Sequence, residues 1–296
     1  MRVFVTGATG YIGSAVVREL VEAEHQVTGL TRLAEKASNL REMGVEPVVG
    51  DLRDVESYRH ALTAADALVH LAAEHSDAQV VVDRAAVDAM LEATAGGAAR
   101  IVVYTSGCFV LGETGDEPAH EDASVEDAPD LVGWRPEHEE RVLDASGEGL
   151  ATSVIRPGMV YGGKDGTFAS FFATAERDGA AEFVGDGANR WSPVYRGDVA
   201  RLYRMVVEDD GRGIFHCAEP AERVGELAMA ASRAAGAGGA TERVRVEAAR
   251  KEMGAFADAL TMDQVVGCRR AHDFGWEPEH PPFIDSAGSV YREWKG

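Results

Sequence analysis

The sequence predicts an α/β fold, a doubly wound parallel sheet with a smaller C-terminal substrate lobe. Short apolar runs alternate with amphipathic helical patterns through the first hundred residues of the 296-residue chain. This is how a parallel sheet covered on both faces reads in sequence. A glycine-rich turn, TGATGYIG at 6–13, joins the first apolar run to the first helical pattern. After residue 106 the alternation gives way to an acidic, turn-rich stretch and then to mixed elements.

In order, RVFVT (2–6) is the first strand, and the helix at 11–23 follows with Ile12, Val16, Val17, Leu20 and Val21 on one face. Strands at 26–31, 45–50, 67–73 and 100–106 alternate with helices near 34–43, 54–64 and 77–95. Residues 112–130 read as a long surface loop. A helix near 135–146 leads to the sixth strand, ATSVIRP (151–157). Beyond it lie helices near 167–178 and 198–208, a strand at 213–217, and helices near 224–235 and 247–259. Residues 1–156 and about 190–217 are assigned to the first domain, and about 157–189 and 218–296 to the smaller lobe.

The formal net charge is −21, from 50 acidic and 29 basic residues. Such a surface repels phosphate backbones and anionic lipid, so neither nucleic acid nor a membrane is expected as a partner. Lysine occurs only at Lys36, Lys164, Lys251 and Lys295. An acid-rich, lysine-poor chain fits a halophilic source, and codon bias is the alternative. Cys108, Cys217 and Cys268 are odd in number and far apart, which reads as a reducing cytoplasm. The histidines form no zinc signature, so no metal is expected. The chain opens directly on a strand and has no long apolar run, so a cytoplasmic protein is expected.

The turn at 6–13 lies where a dinucleotide pyrophosphate binds in a Rossmann fold. Gly7 allows the tight turn, Gly10 lets phosphate approach the backbone, and Gly13 lets helix and strand pack closely. Thr9, Tyr11 and Ile12 complete the cradle, and the helix N-terminus offers free N–H groups. The second strand ends in Thr31 and Arg32 with no acid. Arginine there suits a 2′-phosphate, so NADP is the expected cofactor, with NAD as the alternative.

The spacing Gly-x-x-Gly-x-x-Gly resembles that of the short-chain dehydrogenase/reductase superfamily, in its extended branch, the NAD-dependent epimerase/dehydratase family. Further segments are similar in the same order: GDLRD (50–54), LVHLAA (68–73), VVYTSG (102–107), VIRPGMVYG (154–162), WSPVYRGDVARLY (191–203) and RRAHDFGWEP (269–278). The resemblance implies that Asp51 and Leu52 flank the adenine. It places Leu71, Ala72, Ala73 and Thr105 along the cofactor and Pro157 beside the nicotinamide.

In that family a serine or threonine, a tyrosine and a lysine carry the acid/base work. Here the serine position falls on Gly107, with Ser106 beside it; no tyrosine lies between Tyr104 and Tyr161, and no lysine between Lys36 and Lys164. Trp134 and His138 have the four-residue spacing of the missing pair, and another register puts Arg135 or Pro136 at the lysine. His138, Ser106 and Tyr161 are the candidate catalytic residues. An imidazole titrates near neutrality, although EHEER around His138 also reads as a solvated helix face. Tyr161 also reads as a core aromatic. The Tyr-x-x-x-Lys at 291–295 lies at the chain end and is set aside. Asp198 is read as the cap of its helix.

Candidate substrate contacts are Trp134 as a flat wall, Phe168, Asn189, Arg190 and Trp191, with Cys108 as a small apolar filler beside the site. The expected function is an NAD(P)-dependent oxidoreductase acting by hydride transfer on a small hydroxyl or carbonyl compound. The alternatives are a nucleotide-sugar epimerase/dehydratase and a non-catalytic dinucleotide-binding sensor. The resemblance also implies a homodimer through the helices near 77–95 and 135–146.

Overall fold

The structure, a computed structural model, describes residues 1–74 and 76–296. The chain begins β1 (Arg2–Thr6), α1 (Tyr11–Glu22), β2 (Gln26–Thr31), α2 (Ala34–Glu42), β3 (Glu46–Val49), α3 (Arg59–Ala64), β4 (Ala67–His70), α4 (Gln79–Gly96) and β5 (Ile101–Thr105). It continues α5 (Arg135–Asp144), β6 (Ala151–Pro157), β7 (Met159–Tyr161), α6 (Thr167–Asp178), β8 (Ala181–Val184), β9 (Arg190–Trp191), β10 (Pro193–Tyr195), α7 (Arg196–Glu208) and β11 (Gly213–Cys217). It ends β12 (Glu222–Arg223), α8 (Val224–Ala234), β13 (Thr241–Val244), α9 (Val246–Met253), α10 (Phe256–Ala259), α11 (Arg269–Asp273) and α12 (Phe283–Lys295).

Seven strands form the main sheet in the order β3-β2-β1-β4-β5-β6-β11. Every neighbouring pair from β3 to β6 is parallel. The strand order reverses between β1 and β4, which places the ligand crevice of a doubly wound fold at the carboxyl ends of these two strands. β4 and β6 are buried along their whole length, which is why they read as unbroken apolar runs.

The chain divides into two compact units. The first comprises Met1–Ser106, Trp134–Arg156 and Val199–Phe215; the second comprises Gly107–Gly133, Pro157–Asp198 and His216–Gly296. Residues 107–133 and 190–198 therefore fall in the second unit, not in the first as expected from the sequence. The acidic stretch at 112–130 is also more than a surface loop. Ala119 bridges Val266, and buried Glu121 accepts the backbone N–H groups of His216 and Arg270.

The helix expected near 247–259 is broken into α9 and α10 at Gly254, which adopts φ +60°. Asp198 lies in the first turn of α7, and its carboxylate accepts the backbone N–H groups of Glu279 (2.9 Å) and His280 (3.1 Å). Trp276 donates its indole N–H to the Asp198 carbonyl at 2.9 Å. Asp198 thus anchors the C-terminal Gly-Trp-x-Pro segment. The Tyr-x-x-x-Lys pair at the chain end lies on α12, where Tyr291 and Lys295 both hold Glu176 of α6. Among the described residues, no helix is long and apolar enough to cross a membrane.

One ion pair fixes α5 to the sheet. Arg156 of β6 donates from Nε to both oxygens of Glu139 on α5, at 3.1 and 3.2 Å, and from a second guanidinium nitrogen to the same carboxylate. The side chains are 2% and 3% exposed, so removing one partner strands the other charge away from water. Glu139→Ala is expected to lower the unfolding free energy by about 3–5 kcal/mol in urea titrations. The double variant Glu139→Leu/Arg156→Met should recover most of that loss.

The second unit provides a pH-dependent term. Burial is the main force pushing the Glu219 carboxyl up, to about 7, against hydrogen bonds from Tyr161 and from backbone N–H groups. A folded pKa above the unfolded value stabilises the fold below about pH 4.5, and that stability is lost as pH rises through about 7. Glu219→Gln should therefore gain on the wild type by up to about 3 kcal/mol between pH 5 and pH 8, measured as the difference in urea unfolding free energy.

Candidate functional site

The turn between β1 and α1 is built around close backbone approach. Gly7 has φ +68°, and a Cβ there would lie 2.6 Å from the Leu71 carbonyl and the Ala72 nitrogen. A Cβ on Gly13 would lie 2.0 Å from the Gly7 carbonyl oxygen. Neither neighbour is a flexible side chain, so only glycine fits at either position. Gly10 caps α1, and its N–H donates to the Gly7 carbonyl at 2.8 Å.

A cavity of about 390 Å³ opens above this turn. Gly7, Thr9, Gly10, Tyr11, Ile12 and Gly13 form one wall; Leu30, Thr31, Arg32 and Leu52 form another; Leu71, Ala72, Ala73, Glu74 and Thr105 close it. Most of these residues stand at or just beyond the carboxyl ends of β1, β2, β4 and β5. The cavity therefore lies at the switch point, with the α1 N-terminus beneath it. A dinucleotide fits this cradle, because the tight turn brings Gly10, which carries no side chain, to the α1 N-terminus where a pyrophosphate binds. A larger, open depression of about 720 Å³ lies at the amino ends of β1, β2 and β3, lined in part by Arg2, Gln26 and Glu46. It lies at the opposite ends of the strands from the switch point, so the smaller cavity is the candidate site.

Asp51 and Pro157 are not on the wall. The Asp51 carboxylate instead accepts the Arg53 backbone N–H at 2.9 Å. At the Arg32 end a carboxylate is present that the sequence reading passed over. Glu74 pairs with Arg53 at 2.9 Å and lies 3.9 Å from Arg32, and its side chain is only 11% exposed. The hydrogen bond from Arg53 is the main force holding its carboxyl below the ordinary range.

Next to the cavity, beyond Thr105, the first unit buries a polar cluster centred on Asp83 of α4. Thr6 Oγ1 accepts the Leu71 and Ala72 N–H groups, each at 3.2 Å, so its hydroxyl proton is donated to His70 Nδ1 at 2.7 Å. His70 therefore carries its own proton on Nε2 and donates it to Asp83 Oδ1 at 3.1 Å. Tyr104 donates its hydroxyl to Asp83 Oδ2 at 2.9 Å, and His138 Nδ1 meets the same oxygen at 2.7 Å. Burial pulls the Asp83 pKa upward, but hydrogen bonds from His138 and His70 outweigh it and hold the carboxyl well below the usual range. Burial pushes the Tyr104 phenol up, reinforced by the Asp83 charge, so it stays protonated. An ionised Asp83 only accepts, so the proton between it and His138 sits on Nδ1.

His138 is thus fully buried, not on a solvated helix face, and it does not line the cavity. Trp134 lies edge-on to it, with ring centroids 5.0 Å apart. Arg135 stacks over the Trp134 ring at 4.6 Å and donates to the Thr105 carbonyl at 2.9 Å. It therefore puts a cation beside a cavity-lining residue. Ser106 Oγ, Trp134 Nε1 and His138 Nε2 are all buried with no hydrogen-bond partner among the described residues.

The other candidates belong to the second unit, where the structure corrects the sequence reading. Tyr161 is buried; its hydroxyl donates to Glu219 at 2.8 Å, and its ring packs 5.4 Å from Phe168 and 5.1 Å from Phe283. Burial pushes its phenol far up, so it is a core hydrogen-bond donor and not an acid. Phe168 and Trp191 lie in the same aromatic core, with the Trp191 indole donating to the Leu260 carbonyl at 3.1 Å. Asn189 donates to the Leu260 and Met262 carbonyls, and Arg190 pairs with Asp263 and Asp116. Cys108 is buried, with its carbonyl held by Gln264 at 3.0 Å. Each of these residues has partners within its own unit.

Sequence reasoning missed Asp83, His70 and Glu74, and left Arg135 as one register among several. A signal for Asp83 was present: it is the one acid among Val82, Ala86, Val87 and Met90 on the buried face of α4. Among the described residues, no group of three or more His, Cys, Asp or Glu side chains could hold a metal ion.

Residues 7–209 match a family described as NAD(P)H-binding. The chain is 30% identical over 305 residues to an uncharacterized protein of Schizosaccharomyces pombe, spanning 98% of this chain and 100% of that one. It is 31% identical over 222 residues to the 2-alkyl-3-oxoalkanoate reductase of Stenotrophomonas maltophilia, covering 70% of this chain and 66% of the relative. Among solved structures, the UDP-glucose 4-epimerase of Thermus thermophilus in complex with NAD superposes with a TM-score of 0.82 at 25% identity, over 100% and 99% of the two chains. The human epimerase family protein SDR39U1 with NADPH gives a TM-score of 0.82 at 19% identity, over 99% of each.

The glycine geometry is directly testable. Gly13→Ala places a methyl group against the Gly7 carbonyl, and dinucleotide affinity is expected to fall at least about 10-fold by fluorescence titration, because the turn must shift to admit it. The far-UV circular dichroism spectrum should be unchanged.

Proposed function

The chain belongs to the NAD(P)H-binding family, in the extended short-chain dehydrogenase/reductase branch of epimerases and dehydratases, and from that membership we propose that it is an NADPH-preferring reductase of a small ketone or aldehyde. The observation that carries the reading is the cavity over the Gly7–Gly13 turn, with Arg32 on its wall and Arg53 close by through Glu74. Arg32 and Arg53 are the guanidinium groups that would meet a 2′-phosphate, which would have to displace the Glu74 carboxylate they now hold. Bound NADPH would supply a hydride to the substrate carbonyl carbon. Arg135, held by the Thr105 carbonyl and the Trp134 ring, takes the place of the missing lysine as the fixed cation at the far end of the cavity.

A ketone is favoured over a nucleotide sugar by the relatives. The Stenotrophomonas protein is a 2-alkyl-3-oxoalkanoate reductase by name, and a Stigmatella aurantiaca relative, 28% identical over 218 residues, is named as a ketoreductase. NADPH and NADH titrations followed by fluorescence, and NADPH oxidation with ethyl 2-methyl-3-oxobutanoate and a panel of ketones and aldehydes, test the reading. Turnover is expected, and tight NADPH binding without turnover across the panel would make the protein a dinucleotide-binding sensor instead. Arg32→Ala should weaken NADPH by about 10- to 100-fold, as for a charged hydrogen bond of about 1.5–3 kcal/mol, and leave NADH within about twofold.

A further inference from the structure

We propose that Asp83 and His138 form an acid/base pair that replaces the missing tyrosine, with His138 Nε2 exchanging the proton of the substrate oxygen and Trp134 Nε1 hydrogen-bonding that oxygen. The inference rests on the reductase reading above. Its first support is the direction of the hydrogen bonds. Asp83 accepts from His138 Nδ1 at 2.7 Å, so Nε2 is the ring nitrogen left to exchange protons. The His70 and Tyr104 bonds to the same carboxylate stop Asp83 from turning away. A carboxylate that orients an imidazole and stabilises its cation is the arrangement that makes histidine a proton carrier.

The second support is independent of the first. Ser106 Oγ, Trp134 Nε1 and His138 Nε2 are buried polar atoms without partners among the described residues, whereas folded proteins nearly always satisfy such atoms. Ser106 follows Thr105 of the cavity wall, Trp134 precedes Arg135, which donates to the Thr105 carbonyl, and the His138 ring lies 5.0 Å from that of Trp134. The indole N–H can only donate, and Nε2 donates when the ring is cationic. A carbonyl oxygen accepting hydride at its carbon needs donors of this kind. In reduction the C=O carbon takes hydride from the reduced nicotinamide and the oxygen takes the Nε2 proton. The alcohol forms, the nicotinamide is oxidised, and His138 is left neutral with Nδ1–H still on Asp83. Oxidation of the alcohol runs the same exchange backwards, with neutral Nε2 as base.

The titratable groups around the ring are Asp83 from α4, Tyr104 from β5, His70 from β4 through Asp83, and Arg135 and Glu137 on its own helix. The test uses the full chain with NADPH and ethyl 2-methyl-3-oxobutanoate, or whichever ketone of the panel the wild type reduces best. His138→Gln is expected to lower kcat by about 10²- to 10⁴-fold and to abolish the fall of kcat with rising pH, with NADPH affinity within about twofold. Trp134→Phe should lower kcat at least about 10-fold. Asp83→Asn, a change at a positioning residue, should shift the pH limb downward, because the imidazolium loses its counter-charge. Nitrogen-15 NMR of the wild type without cofactor gives a readout apart from activity: His138 Nδ1 should carry a proton, hydrogen-bonded to Asp83.

A folded His138→Gln variant with kcat within threefold and an unchanged limb overturns the pair while leaving the reductase reading intact. An unmoved limb in Asp83→Asn removes Asp83 from the pair. A bare Nδ1 in the NMR spectrum overturns the pair even if His138→Gln does not fold. Absence of turnover by the wild type with every ketone and aldehyde removes the reductase reading itself, and the pair with it.

Discussion

The first unit is organised around one buried carboxylate. An ionised aspartate taken out of water costs several kcal/mol unless charged or polar partners meet it. Asp83 meets that cost with two imidazoles and a phenol, drawn from β4, β5 and α5 while it sits on α4 itself. Each donor comes from a different element, so the cluster sets where those four elements stand relative to one another. Through Thr6 it also reaches the end of β1, one residue before the glycine turn. The cofactor cradle and the start of α5 are therefore parts of one hydrogen-bonded arrangement. A sheet packed by apolar contacts alone would fix spacing but would be more tolerant of slippage.

The contrast with Glu219 shows what decides the fate of a buried acid. Asp83 has two histidines within hydrogen-bond distance and stays ionised. Glu219 has a tyrosine hydroxyl and backbone N–H groups, with the negative charge of Asp198 nearby, and its carboxyl is pushed up to about 7. Both are well hydrogen-bonded. They differ also in the nearby charge, since Arg135 pulls the Asp83 carboxyl down while Asp198 pushes that of Glu219 up. The same logic accounts for Glu139, buried against the guanidinium of Arg156.

Much of the framework was legible in the residues. The strands at 2–6, 26–31, 151–157 and 213–217 and the helix at 167–178 match the structure residue for residue, because unbroken apolar runs and a clear helical period leave little choice. The glycine turn was legible because its chemistry is local. Strands β7, β9, β10 and β12, of two or three residues each, were not, since so short a segment carries no period. The acidic residues flanking His138 suggested a solvated face, yet His138 and Glu139 are both buried, paired with Asp83 and Arg156. Asn189, Arg190 and Trp191 looked available because their partners, Leu260, Met262 and Asp263, lie some seventy positions further on. Local spacing reports which face a residue shares, and partners that distant decide what it does there.

Each unit is assembled from three separate stretches of chain, and this bears on how the protein is made. All the residues that line the dinucleotide cavity have been joined to the chain once Thr105 is added. The first unit cannot close then, because α5, β6 and α7 belong to it and the last of its residues is Phe215. Until His138 emerges, Asp83 lacks one of its imidazole partners, and β5 has no β6 beside it. For about a hundred further residues of translation the nascent chain carries an open sheet edge, and for the first third of that interval Asp83 lacks His138. Both features favour waiting over premature collapse, and they make this interval the one in which a chaperone or a slow codon would have most effect.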